Sequence, residues 1–232
     1  AGDSAATFTA TSPTATSWLW SGQGTGTNAT TTGTTAGNYS VVVTDANGCQ
    51  SLSASGVLTV NALPTPPTIS ASGATIFCDG GSVDLTSSET MGNVWSTSAT
   101  SQAITITSSG NYLAIYTDGN GCSATSAATA VTITALPTVT VNSESICAGD
   151  SAATFTATSA TATSWLWSGQ GTGTNATTTG TTAGNYSVVV TDANSCQSFS
   201  ASGILTVNAL PTVTVNSESI CAGDPAATFT AT

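Results

Sequence analysis

Short runs in which apolar and polar residues alternate recur along the whole chain, and none shows the spacing of an amphipathic helix with caps. Thr138-Val139-Thr140-Val141 alternates as a half-buried strand does, and Thr154-Phe155-Thr156-Ala157-Thr158 places Phe155 and Ala157 on one face. Ser164-Trp165-Leu166-Trp167 predicts a third strand. The run from Asn185 to Thr191 predicts the strongest, with Tyr186, Val188 and Val190 on one side, and Gly203-Ile204-Leu205-Thr206-Val207 closes the set. Gly, Asn and Asp separate these runs, which is turn chemistry. Six or seven short strands per repeat predict an all-β fold of small Greek-key-like sandwiches in tandem.

The pattern repeats almost letter for letter. Residues 1–64 match 148–211 at an offset of 147, differing only at Pro13/Ala160, Gly48/Ser195, Leu52/Phe199 and Val57/Ile204. Residues 211–232 repeat 137–158, with Pro225 in place of Ser151. Each repeat closes on Ala-Leu-Pro-Thr, and Pro64, Pro137 and Pro211 stand 73 and 74 residues apart. The expected domains are 1–64, a sandwich lacking its first strand, 65–137, a divergent sandwich, 138–210, and 211–232, the opening of a fourth. Both ends cut through a repeat, so the parent polypeptide is expected to continue in both directions. Proline in the Leu-Pro-Thr linkers is expected to limit the angles between neighbours.

Composition narrows the function. The 232 residues include no Lys, Arg or His against eleven Asp and Glu, a net charge of -11 in a chain only 5% charged. No cation is present to neutralise phosphates, so nucleic-acid binding is excluded. No apolar run approaches the length of a membrane-spanning helix. Nucleophilic triads need a His or Lys base and phosphate loops need a Lys. The expectation is therefore a protein that is not an enzyme, with no cofactor and no resident metal. A surface of hydroxyls and amides with little like-charge repulsion suits packing against copies of itself.

Cysteine occurs at 49, 78, 122, 147, 196 and 221. In each complete repeat one cysteine precedes the second strand and the other follows the tyrosine strand. This predicts the disulfides Cys78–Cys122 and Cys147–Cys196, one per domain, with partners for Cys49 and Cys221 outside residues 1–232. Loops of this length contribute about 4 kcal/mol in the chain-entropy model, which matters to a domain with a marginal core. Disulfides imply an oxidising compartment, hence secretion to the cell surface or beyond. A cysteine metal site would use tighter clusters such as C-x-x-C, and none exists.

The run Gly37-Asn38-Tyr39-Ser40-Val41-Val42-Val43-Thr44-Asp45-Ala46-Asn47-Gly48-Cys49 resembles the "YTVTVTDANGC" signature of PKD-like or Ig-like repeats in giant secreted surface proteins of Bacteroidetes. It recurs from Asn111 to Cys122 and from Asn185 to Cys196, and Ile146-Cys147-Ala148-Gly149-Asp150-Ser151 is similar to the "ICxGxS" opening of the same repeats. The resemblance covers every repeat. It implies a long, filamentous, adhesive surface protein, like gliding-motility adhesins and proteins exported by the type IX route. The complete lack of basic residues departs from that pattern and favours a fibre-forming stalk.

Several short motifs invite chemistry. Asp45-Ala-Asn47-Gly, Asp118-Gly-Asn120-Gly and Asp192-Ala-Asn194-Ser read as calcium-loop fragments or as tight turns, and turns are favoured because each brings a single carboxylate. Gly22 to Gly26 and Gly169 to Gly173 lack the Lys and the helix of a phosphate loop. Trp20, Trp95 and Trp167 recur and are expected to pack against the disulfide, as in Ig sandwiches. Trp18 and Trp165 are replaced by Asn93, so their expected role is packing on a neighbouring unit or copy, or stacking on surface glycans. Ser4 and Ser151, in Asp-Ser-Ala, fit an O-glycosylation signal described for Bacteroidetes, and Asn28, Asn38, Asn175 and Asn185 fit the N-glycan sequon. A weaker idea is ice binding through Thr154, Thr156 and Thr158, which needs a flat threonine array. The leading expectation is an extracellular filament or stalk whose partners are copies of itself, the alternative a carbohydrate-binding adhesin module.

Overall fold

The computed structural model describes residues 5–232 and contains strands and no helix among them. The first repeat forms β1 (Ala6–Thr9), β2 (Ala15–Gly22), β3 (Thr30–Gly33), β4 (Gly37–Asp45) and β5 (Ala54–Leu58). The second forms β6 (Ile69–Ala71), β7 (Ile76–Cys78), β8 (Val83–Ser87), β9 (Asn93–Trp95), β10 (Ala103–Ile106), β11 (Gly110–Tyr112), β12 (Ala114–Thr117), β13 (Ser123–Thr125) and β14 (Thr129–Thr134). The third forms β15 (Thr140–Val141), β16 (Glu144–Cys147), β17 (Ala153–Thr158), β18 (Ala162–Gly169), β19 (Thr177–Gly180), β20 (Gly184–Asp192) and β21 (Ala201–Asn208). The chain divides into two compact units, one of residues 1–69, 87–102 and 113–127, the other of 70–86, 103–112 and 128–232. Strands of the second repeat thus contribute to both.

The third repeat shows the complete sandwich. One sheet has the order β15-β17-β19 and the other β16-β21-β20-β18. Alternation along β17 and β20 turns Phe155, Ala157, Tyr186, Val188 and Val190 inward, where they meet Trp167 and Leu205 in one core. Phe155 and Tyr186 stack with ring centroids 4.0 Å apart. Tyr186 Oη donates to the carbonyl of Thr182 at 3.0 Å, and Tyr39 and Tyr112 make the same bond to Thr35 and Ser108 at 2.9 and 2.8 Å. This tyrosine corner pins the loop before each tyrosine strand. The Trp20, Trp95 and Trp167 indole N–H groups donate to the carbonyls of Asn28, Ser101 and Asn175 at 2.8–2.9 Å. The core around Trp167 contains no cysteine, so that indole packs on aliphatic and aromatic side chains where a disulfide was expected.

The disulfide pairing differs from expectation. Cys78 is bonded to Cys196, with Cα atoms 5.5 Å apart, while Cys122, half-buried, and Cys147, exposed, are free thiols. The reason is topological. The opening strand β16 runs parallel to the last strand β21, with Cys147 opposite Asn208 at its far end. The tyrosine strand β20 runs antiparallel to β21, with Val188 opposite Ala201, so Cys196 lies beyond the start of β21. The two cysteines of one repeat therefore sit at opposite ends of an eight-residue strand, about 23 Å apart, far outside disulfide reach. The parallel pair β7–β14 carries Cys78 to the trailing end of the second repeat in the same way, opposite Thr134. There it meets the closing cysteine of the third repeat.

Candidate assembly site

The closing cysteines sit in rigid turns. Asp45 Oδ1 accepts from the backbone N–H groups of Asn47 and Cys49 at 2.9 and 2.8 Å. Asp118 holds Asn120 and Cys122, and Asp192 holds Asn194 and Cys196, each at 2.9 Å. The third turn residue adopts positive φ, at Gly48, Gly121 and, unusually, Ser195. The carboxylates are thus spent on capping turn amides, the role favoured for these motifs over calcium. The Cys49 amide is the main cause that holds the Asp45 carboxyl below its ordinary range, with burial opposing and Asn47 and Gly48 assisting. The opening cysteines mirror this: Asp150 Oδ2 accepts from Cys147 N–H, and Asp224 Oδ2 from Cys221 N–H, both at 2.8 Å.

Near-identical sequences are buried to different extents in the first and third repeats. Phe155, Val188 and Val190 have no exposed surface, whereas their counterparts Phe8 and Val43 are only partly covered. Val139 and Val141, leading into and on β15, and Ile146 on β16 account for the difference, since they pack against the third-repeat core and the first repeat has no counterpart among the described residues. In consequence β5 has a neighbour on one side only and β1 pairs only with β3. A groove of about 590 Å³ opens there, lined by Phe8, Trp20, Tyr39, Val41, Val43 and Gly56 among others.

Residues 211–232 have the complementary character. Apart from Pro225 they carry the same sequence as 137–158, which contains β15 and β16, yet Val213, Val215, Ile220 and Phe229 are all more than half exposed. The segment already holds the local geometry of its copy. Asn216 Nδ2 donates to Thr228 O and Thr230 N donates to Asn216 Oδ1, as Asn142 does with Thr154 and Thr156.

Trp18 and Trp165 lie half-buried against the core of their own repeat, with indole N–H groups that are buried and lack a partner. Ser151 is exposed, as are Asn28, Asn38, Asn175 and Asn185, while Ser4 lies outside the described residues. Thr154, Thr156 and Thr158 are exposed on β17, beside exposed Thr140, Thr177 and Thr179 on its neighbours. The tyrosine corner and the parallel opening strand were missed in the sequence. The first was legible as Tyr preceded by a Thr or Ser four residues earlier; the second has no local signal.

Together these features define a tandem-repeat, all-β chain of small sandwiches with a disulfide at a repeat junction. No protein-family model and no curated protein sequence matches the chain. Among solved structures it is similar to the fibronectin(III)-like modules of Clostridium thermocellum CbhA, at 15% identity over 61% of this chain and 94% of that one, with a TM-score of 0.32. It is also similar to Drosophila OTK extracellular domains 3–5, at 12% identity over 88% of this chain and 92% of that one, TM-score 0.32. Bacteroides ovatus SGBP-B in complex with a mixed-linkage heptasaccharide matches at 15% identity over 91% of this chain and 64% of that one, TM-score 0.21.

Proposed function

We propose that the chain is a non-enzymatic structural segment of an extracellular filament or cell-surface stalk, as its resemblance to Bacteroidetes surface repeats implies. The observation that carries this reading is the Cys78–Cys196 bond, which ties the trailing end of one repeat to the closing turn of the next. Such a tie carries tension past the Leu136-Pro137 linker. It also requires an oxidising environment, in keeping with a place outside the cell. The rival reading, a carbohydrate-binding adhesin module, would use Trp18 and Trp165 as stacking platforms. Burial of both indole N–H groups leaves each able to offer only part of a ring and no donor, and this disfavours it.

Single-molecule stretching tests the load-bearing role. The bond closes a loop with a sequence separation of 118, so reduction is expected to lengthen the fully extended chain by about 400 Å in one increment. Equal lengths with and without reductant, or two separate smaller increments, contradict it. Intact mass tests glycosylation at Ser4 and Ser151: agreement with 22.6 kDa removes it.

A further inference from the structure

We propose that the junction ties overlap along the continuing polypeptide: Cys147 bonds the closing cysteine of the repeat after the third, and Cys122 bonds the opening cysteine of the repeat before the second. This rests on the stalk reading and deepens it, because overlapping ties let one of them break without lengthening the stalk.

Cys147 holds the place in the third repeat that Cys78 holds in the second. Each ends an opening strand that runs parallel to the last strand of its repeat, Cys78 opposite Thr134 and Cys147 opposite Asn208. The next residue fixes that place in both, with Asp79 N–H donating to Thr134 O and Ala148 N–H to Asn208 O, each at 2.8 Å. The chain that leaves the last strand is also the same, since residues 135–150 and 209–224 are identical. The linker that leads from Cys78's strand pair into the third repeat therefore recurs beyond Cys147, whose thiol is exposed.

Cys122 is presented by the same turn as Cys196. Asp118 N–H donates to Cys122 O at 2.9 Å and Asp192 N–H to Cys196 O at 3.0 Å, and Gly121 and Ser195 N–H return to the aspartate carbonyls at 3.1 Å. The observed bond joins the opening cysteine of one repeat to the closing cysteine of the following one. The offset of 147 places an opening cysteine just before Ala1, and the same rule gives it to Cys122. Each bond forms by thiol–disulfide exchange: two thiols lose two protons and two electrons to a small-molecule disulfide, which departs as two thiols.

Overlap follows from the order of the cysteines. Both Cys122 and Cys147 lie inside the loop that Cys78 and Cys196 close. A taut chain then has two staggered covalent routes, one through Cys78–Cys196 and one through the bond of Cys147. Severing either leaves the other to set the extended length.

The test lengthens the chain by adding a copy of residues 159–211 after Thr232, which completes a fourth repeat because 211–232 already repeats 137–158 apart from Pro225. Ser195→Gly is made in the added copy alone, so that its closing cysteine lies in a peptide of distinct mass. After oxidation in a glutathione disulfide buffer, mass spectrometry of linked peptides is expected to find Cys78–Cys196 and a bond from Cys147 to the added closing cysteine. Recovery of Cys147 as a thiol, or a bond from Cys221 to the added cysteine, overturns the proposal. Stretching gives a second readout: Cys78→Ser alone is expected to leave the fully extended length unchanged, and Cys78→Ser with Cys147→Ser to add about 400 Å. A gain of about that size from Cys78→Ser alone overturns the proposal as well. In each of these outcomes an intact Cys78–Cys196 bond in the unsubstituted chain leaves the stalk reading standing; its absence from the map defeats that reading.

Discussion

Ser195 stands in the left-handed region at φ 65°, where the matching turns carry Gly48 at φ 83° and Gly121 at φ 82°. A side chain with a β-carbon pays about 1 kcal/mol for that conformation. Ser195→Gly is therefore expected to stabilise the chain by about that amount, seen as a higher urea midpoint, and Gly48→Ser to do the reverse; unchanged midpoints would show that the turn relaxes. At Asp45 the amides of Cys49, Asn47 and Gly48 favour the charged carboxylate, so its folded pKa lies below 3.8. The sign follows: the turn's contribution is present above the unfolded value and is lost as pH falls through the lower folded one. An NMR titration of the Asp45 carboxyl is expected to show a midpoint below 3.8, and a midpoint at or above it contradicts the capping geometry. The Asp-x-Asn-x-Cys pattern made these turns legible, because one short carboxylate beside glycine serves amides better than it serves calcium.

Two glycines of one sequence context test the elements. Gly203→Ala is expected to cost about 2 kcal/mol or more through collision with the Asn142 carbonyl, in the link from β15 to β16, while Gly56→Ala is expected to cost well under half as much. Equal losses in thermal or urea unfolding would mean that the link from β15 to β16 does not pass over Gly203 of β21. This same pairing marks the limit of what the sequence revealed. Alternation made β17 plain, with threonine on either side of Phe155, and on β20 Tyr186, Val188 and Val190 face one way. The parallel partner of β21 left no such trace. Glu144-Ser145-Ile146-Cys147 offers a single apolar inward residue, and its ladder spans 61 residues, from Glu144 to Leu205. Without that ladder the cysteines of one repeat look like neighbours, which is why Cys147–Cys196 was expected and Cys78–Cys196 is found.

For the whole molecule, the parallel opening strand turns an intra-domain staple into a junction tie. Sequence separation within a repeat, 44 or 49 residues, carried no information about which end of the sandwich each cysteine occupies. On the proposed stalk reading, the Cys78–Cys196 bond carries tension between β7 and the turn before β21 and shields the residues between the two cysteines from extension. Pro137 of the Leu-Pro-Thr linker between the two cysteines is buried. The chain-entropy model gives a loop of this size a stabilisation of about 5 kcal/mol, shared by two repeats. The most direct check is a disulfide map of the oxidised monomer under non-reducing conditions, cut at aromatic and acidic residues because trypsin has no site in a chain without Lys or Arg. The account predicts a linked peptide pair containing Cys78 and Cys196, with Cys122 and Cys147 recovered as thiols. Recovery of Cys78–Cys122 together with Cys147–Cys196 would contradict it.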